Sequence, residues 1–196
     1  MSAHKHAQTQ YPVADFIKHR WSPRAFTAQP ISDDDLRTLF EAAAWAPSAM
    51  NEQPWRFVYA HQADAEGFQR LWECLLPGNQ PWARHAAALV VVLARKTMTA
   101  NDAPNQLYLH DTGMATANLL LQAGTMGIHG HVMGGFDPAK AQQVLHLPAE
   151  LEVATFLALG HVGTAEQLEE PFRSREQAAR SRKPLSEFVF QNALPQ

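Results

Sequence analysis

The chain has 196 residues, of which 46% are apolar and 18% charged, with a formal net charge of −3. That length and apolar share suit one globular domain with a sizeable core, while the small negative charge offers no basic footprint for a nucleic-acid partner. The single cysteine, Cys74, excludes an intramolecular disulfide and a cysteine-built zinc cage and points to a reducing, cytoplasmic compartment.

Residues 1–10 are expected to form a flexible N-terminal tail, and residues 11–196 a single domain. The first dozen residues contain no apolar region of the kind found in a secretory leader. No run approaches the ~18 apolar residues of a membrane span, so no membrane partner is expected. His4 and His6 in the tail carry no recognisable ligand spacing.

In chain order, Pro12 to His19 predicts a short helix with Val13, Phe16 and Ile17 on one face. Ser32 to Trp45 predicts a stronger one. Ser32 can cap it, three acids follow at its positive end, and Pro47 stops it. Trp55 to Ala60 predicts a strand, Ala63 to Leu76 a helix, and the valine-rich Leu89 to Leu93 a buried strand. Gln106 to Met126 predicts a long helix closed by Gly127. Its middle is apolar on almost every side, as at a deep core or a subunit interface, and for a chain of this size the interface is favoured. Ile128 to Met133 predicts a weak strand, Asp137-Pro138 the start of a helix, and Val153 to Leu159 a last strand. The segment from Glu166 to Lys183 is polar and charged, and Leu185 to Phe190 is a short apolar arm. Helices outnumber strands without regular βαβ alternation, so the expected class is α+β.

Four segments carry candidate chemistry. Arg20, Ser22 and Arg24 follow the first helix at alternate positions. Two guanidinium forks flanking a hydroxyl suit a phosphate monoester, although the same pattern more often marks a solvated basic turn. Pro47-Ser48-Ala49-Met50-Asn51, followed by Gln53-Pro54-Trp55, has the composition of a turn in which Asn51 bonds its own backbone. His131-Val132-Met133-Gly134-Gly135 precedes the capped helix, and its two glycines allow a backbone to approach a flat ligand or simply form a bulge. His129 and His131 share a strand face, but no third ligand has metal-site spacing, and no metal is expected. Arg180-Ser181-Arg182-Lys183-Pro184 is a basic turn. No GxGxxG or Walker loop is present, so side chains would have to hold any nucleotide phosphate.

Taken together and in this order, Arg20-x-Ser22-x-Arg24, the Pro47-to-Trp55 run, Gly134-Gly135 and the C-terminal basic segment resemble the nitroreductase family of flavin mononucleotide (FMN) enzymes. The resemblance implies a nitroreductase-like fold, with a central, mostly antiparallel sheet flanked by helices in an intertwined homodimer, and a C-terminal arm packed on the partner subunit. An added edge strand at Phe188 to Phe190 would serve that packing. It implies an FMN-dependent oxidoreductase that passes hydride from NADH or NADPH through flavin N5 to a nitroaromatic, quinone or related acceptor in a ping-pong cycle. Other FMN reactions known on the fold are dehydrogenation, dehalogenation and flavin fragmentation, and a non-catalytic flavin-binding dimer is a further alternative.

The residues so implicated around FMN are Arg20, Trp21, Ser22 and Arg24, then Pro47, Ser48, Ala49 and Asn51 across the interface. Asn79, His131, Val132, Met133, Gly134, Gly135, Arg180 and Arg182 complete the set. No protein nucleophile is implied, because the cofactor carries the chemistry; His131 is a possible substrate contact. Two positions depart from the pattern. Trp21 stands where the family often has Arg or His, and Trp82 where some members have Lys. The second departure leaves Arg24 as the expected cation near the flavin.

Overall fold

The computed structural model describes residues 5–195. Four antiparallel strands lie in the order β1-β2-β4-β3: β1 Trp55–His61, β2 Ala88–Arg95, β3 His129–Met133 and β4 Leu151–Gly160. Strand β2 is buried along nearly its whole length, as expected of a valine-rich strand covered on both faces. A β-bulge between Val92 and Leu93 interrupts its pairing with β4.

The pleat sends alternate side chains into two cores. Leu89, Val91, Leu93, Met133 and Phe156 face one way and pack with Phe68, Leu71 and Trp82. Val90, Val92, Leu157 and Leu159 face the other way and pack with Leu36, Leu39, Leu119 and Leu120. Helices α2 (Asp33–Ala44) and α5 (Tyr108–Thr125) cover the second face. Helices α3 (Ala65–Trp72) and α6 (Pro138–Val144) cover the first, and α1 (Asp15–His19) lies against α5.

Local chemistry explains the starts. Ser32 Oγ accepts from the Asp35 N–H at 3.1 Å, and the Asp35 carboxylate accepts from the Ser32 N–H at 3.2 Å, closing a capping box at α2. Asp64 caps α3 and Asp137 caps α6 in the same manner. Helix α5 is less uniformly buried than its composition suggests. Asp111, Ala115, Leu119 and Ala123 face inward, while Leu109, Gly113 and Ala117 are exposed.

Several expectations need correction. The helix expected to reach Leu76 ends at Trp72, and Leu75 forms a bridge to Phe136 instead. A short helix, α4 (Gln80–Ala83), lies between α3 and β2, its Pro81 tolerated in the first turn, where no N–H partner is needed. The polar run beyond Glu166 contains helix α7 (Phe172–Gln177). Leu185–Glu187 is a 3₁₀ turn and Phe188–Phe190 is irregular, so the arm is not a strand in this chain. Residues 1–4 of the expected tail, His4 included, lie outside the described residues. Lys5 is buried, and its Nζ donates to the Ala178 carbonyl at 2.6 Å. No helix is long and apolar enough to cross a membrane among the described residues.

Candidate active site

Helix α1 ends at His19, with Arg20 as its extended C-cap, and the chain then leads to Phe26, which bridges Val162. Arg20 and Ser22 sit on one side of this segment, with Arg20 Nη1 3.4 Å from Ser22 Oγ. The C-terminal segment returns to the same place. Arg20, Ser22, Arg175, Arg180 and Arg182 line a pocket of about 230 Å³. Arg180 is already partly committed, since its Nη1 donates to the Lys5 and Lys18 carbonyls at 2.9 and 2.6 Å. It ties the two ends of the chain together as well as facing the pocket.

The pocket is electrostatically unbalanced. None of Arg20, Arg24, Arg175, Arg180 and Arg182 forms a salt bridge with a carboxylate among the described residues. Burial lowers the Arg20 pKa from its ordinary value, and the neighbouring Arg182 lowers it further. Arg180 is lowered by burial and by Arg20 and Arg182. A guanidinium stays charged at neutral pH despite such shifts. Partly desolvated like charges therefore crowd around one hydroxyl, an arrangement that an anion with several acceptor oxygens relieves.

Glu176 on α7 is the one nearby acid lining this pocket, and it is spent on the backbone. Only 4% exposed, its carboxylate accepts from the N–H groups of Arg24 at 3.0 and 3.1 Å and of Ala25 at 3.1 Å. It fixes the path of the arginine segment without neutralising the pocket. Sequence reasoning missed both Glu176 and Arg175. The only available signal was their place in a charged run that showed no helical apolar period.

A second cluster joins the arginine segment to the sheet. The Arg24 guanidinium lies 5.7 Å from the Trp82 ring centroid, and the Trp82 and His131 rings are 4.5 Å apart. His131 Nδ1 is 2.9 Å from the Pro23 carbonyl, which requires the proton on Nδ1. Burial, reinforced by the Arg24 charge and offset by the hydrogen bond to Pro23, lowers the His131 pKa to about 4. The imidazole is neutral at pH 7, leaving Nε2 as an acceptor.

Asn79 Nδ2 donates to the Gly135 carbonyl at 3.0 Å. A Cβ on Gly135 would lie 2.8 Å from that nitrogen, whereas one on Gly134 would meet nothing within 4 Å. Gly135 is thus explained by its contact with Asn79, and Gly134 borders open space. The Met133 side chain is in the core, so it does not line an exposed surface; Val132 is exposed. Trp21 is buried edge-on to His129, with ring centroids 6.2 Å apart.

The Pro47-to-Asn51 segment stands apart. None of its residues lines the arginine pocket. Met50, Asn51 and Gln53 have φ of 53°, 57° and 49°, left-handed conformations that are uncommon outside glycine. The loop is pinned by Asp111 on α5, which accepts from the Ala49 N–H at 2.9 Å, and by Ser48 Oγ, which accepts from the Gln53 N–H at 3.0 Å. Met50 projects outward at 87% exposure.

The nitroreductase family model matches residues 17–161, and the chain belongs to the nitroreductase family. It is 32% identical over 150 residues to an Archaeoglobus fulgidus protein named "Putative NADH dehydrogenase/NAD(P)H nitroreductase", an overlap covering 74% of this chain and 82% of that one. It is 28% identical over 170 residues to a Thermus thermophilus NADH dehydrogenase, covering 72% and 82% of the two chains. A solved structure described as an oxidoreductase containing FMN superposes with a TM-score of 0.92 at 35% identity, covering 100% of this chain and 99% of that chain.

Proposed function

We propose that the protein is an FMN-dependent oxidoreductase that takes hydride from NADH or NADPH and passes the electrons to a nitroaromatic, a quinone or a related acceptor. The observation that carries this reading is the set of unpaired arginines around Ser22. It fits a phosphate monoester, which supplies the charge and acceptor oxygens these donors lack. Arg20, Ser22 and Arg182 would hold the phosphate, with Arg175 and Arg180 adding charge. The backbone at Gly134-Gly135 and the side chains of Asn79, Arg24 and His131 would border the flavin ring, with Val132 at its rim and Met133 contributing through its main chain. Trp21 would contribute through its main chain too.

FMN, when bound, supplies the hydride chemistry, and the protein positions it. Arg24 would provide positive charge beside the ring, and neutral His131 would offer Nε2 as an acceptor without adding a second charge. The Pro47–Asn51 loop contributes no residue to its own arginine pocket, which supports a homodimer in which Pro47, Ser48, Ala49 and Asn51 complete the partner's site. Exposed Met50, exposed Trp45 and the apolar residues of the C-terminal arm give that dimer its surface. We place the protein in the cytoplasm, with Cys74 reduced.

The test is an anaerobic absorbance titration of the FMN-reconstituted protein with NADH and then NADPH, followed by a nitroaromatic and a quinone. Loss of flavin absorbance with a nucleotide and its return with an acceptor are expected. Bound FMN that neither nucleotide bleaches would reject the NAD(P)H mechanism and leave another flavin reaction or a non-catalytic role.

A further inference from the structure

The arginine pocket is assembled from opposite ends of the chain. Arg20 and Ser22 follow α1, whereas Arg175 belongs to α7, and Arg180 and Arg182 lie beyond it. Glu176 anchors the backbone at Arg24 and Ala25, but no carboxylate pairs with Arg180 or Arg182 among the described residues. Like charges on two separate segments repel, so a further contact has to keep the two sides together.

That contact comes from the segment upstream of α1. Lys5 Nζ donates to the Ala178 carbonyl at 2.6 Å, and the Lys5 carbonyl accepts from Arg180 Nη1 at 2.9 Å. Lys5 thus grips the C-terminal segment twice, once through its side chain and once through its main chain. The next residue, His6, meets the His19 ring edge-on, with centroids 4.5 Å apart. The Ala7 N–H then donates to the Lys18 carbonyl at 3.2 Å, the same carbonyl that receives Arg180 Nη1 at 2.6 Å. Three successive residues therefore join the end of α1 to the chain around Arg180. The strap is packed as well as bonded. Lys5 is 5% exposed, and its ammonium lies 4.9 Å from the Trp21 ring centroid, within cation–π distance.

Holding binding groups in place before the ligand arrives has a thermodynamic consequence. Groups already aligned lose less freedom on binding. A site aligned in only a fraction of molecules binds more weakly by that fraction.

We infer that residues 5–7 form a strap that pre-organises the anion pocket, with Lys5 a positioning residue acting through Ala178 and Arg180. The inference rests on the reading of this pocket as the FMN phosphate site.

The probes are FMN and riboflavin, which share the ring and ribityl chain and differ in the phosphate. Two variants loosen the strap by different means. Lys5→Met keeps a long side chain and the main-chain carbonyl but removes the donor to Ala178. Ala7→Pro removes the N–H that reaches Lys18 and alters neither a charge nor a residue lining the pocket. In both, FMN affinity should fall at least about fivefold while riboflavin affinity holds, which also reports an intact fold. Tryptic cleavage after Arg180 in FMN-free protein, followed by mass spectrometry, should be faster in both variants than in the wild type.

Unchanged FMN affinity in both variants, or unchanged cleavage after Arg180, would overturn the strap and leave the phosphate site standing. A loss in Lys5→Met alone would also overturn it, since Lys5 would then act only as one more charge. Wild-type protein that binds riboflavin as tightly as FMN would reject the phosphate site itself, and the strap's role with it.

Discussion

Glu176 and Arg24, 152 residues apart in sequence, meet through the main chain: the Glu176 carboxylate receives the Arg24 N–H at 3.0 Å on one oxygen and 3.1 Å on the other. The same carboxylate receives the Ala25 N–H. A helix near the C-terminus thereby sets the backbone on which the N-terminal arginines are mounted. This linkage is structural and electrostatic together, because the only acid at the pocket is kept from pairing with its guanidinium groups.

Glu176→Ala removes the acceptor for two main-chain donors and leaves them inside the protein. A loss of about 3 kcal/mol is expected, equivalent to roughly 6–12 °C in Tm for a chain of this size. FMN affinity should fall with it, since the arginine segment loses its anchor. Glu176→Gln keeps an acceptor oxygen and should lose less of both. Thermal melts of the apoprotein alongside flavin-fluorescence titrations separate the two effects. An unchanged melting temperature in Glu176→Ala would remove the anchoring role.

Arg20→Ala should weaken FMN binding by roughly 10- to 150-fold, the value of ~1.5–3 kcal/mol for a charge-assisted hydrogen bond. Arg175→Ala should weaken it less, because Arg175 follows as added charge on α7. Both losses should shrink as ionic strength rises, with the Arg175 effect more nearly screened away. Equilibrium dialysis at two salt concentrations checks this. Unchanged flavin affinity in Arg20→Ala would remove Arg20 from the phosphate site.

The sequence made the fold legible where local chemistry and periodicity agree. Ser32 and Asp35 marked the start of α2, and the unbroken apolar run at Leu89 marked the central strand. Arg20, Ser22, Arg180 and Arg182 were legible as a set only through the family's motif order, since each is unremarkable as a basic turn. Glu176 and Arg175 were not legible. Their helix has six residues and no apolar stripe, and it is held by contacts with the 3₁₀ turn at Ala165–Gln167 and by the Arg24 backbone. The sequence leaves Gly135 open between close ligand approach and a bulge, and the structure adds a third reason, since the Asn79 side chain occupies the space of its missing Cβ.

His131 predicts an acid-sensitive stability. Its imidazole protonates near 6.5 when unfolded and at about 4 when folded. Between those values the unfolded chain binds more protons. Stability is therefore full above about pH 6.5 and declines as pH falls toward 4, with no further loss from this group below that. The difference corresponds to on the order of 3 kcal/mol. His129, whose pKa burial also lowers, acts in the same direction. His131→Gln retains a donor for the Pro23 carbonyl and should flatten the decline without abolishing it. Urea denaturation at pH 7 and pH 4.5 measures the slope; equal slopes in wild type and variant would contradict the assignment.

Gly130 tests how β3 is seated against α5. A Cβ built there would lie 2.3 Å from Leu120 Cδ2 and 2.8 Å from Leu159 Cδ2. Both neighbours belong to the core on the α5 face of the sheet, so the absence of a side chain at Gly130 lets the helix approach the strand. Gly130→Ala should destabilise by about 1–3 kcal/mol, the ordinary cost of overpacking. The clash is with the end of a flexible side chain, so its relief is specific. Leu120→Ala alone should destabilise through the cavity it leaves. Combined with Gly130→Ala, it makes room for the new methyl, and the double variant should be at least ~0.5 kcal/mol more stable than the sum of the two losses predicts. Strict additivity in urea melts would show that the helix is not seated on Gly130 through Leu120.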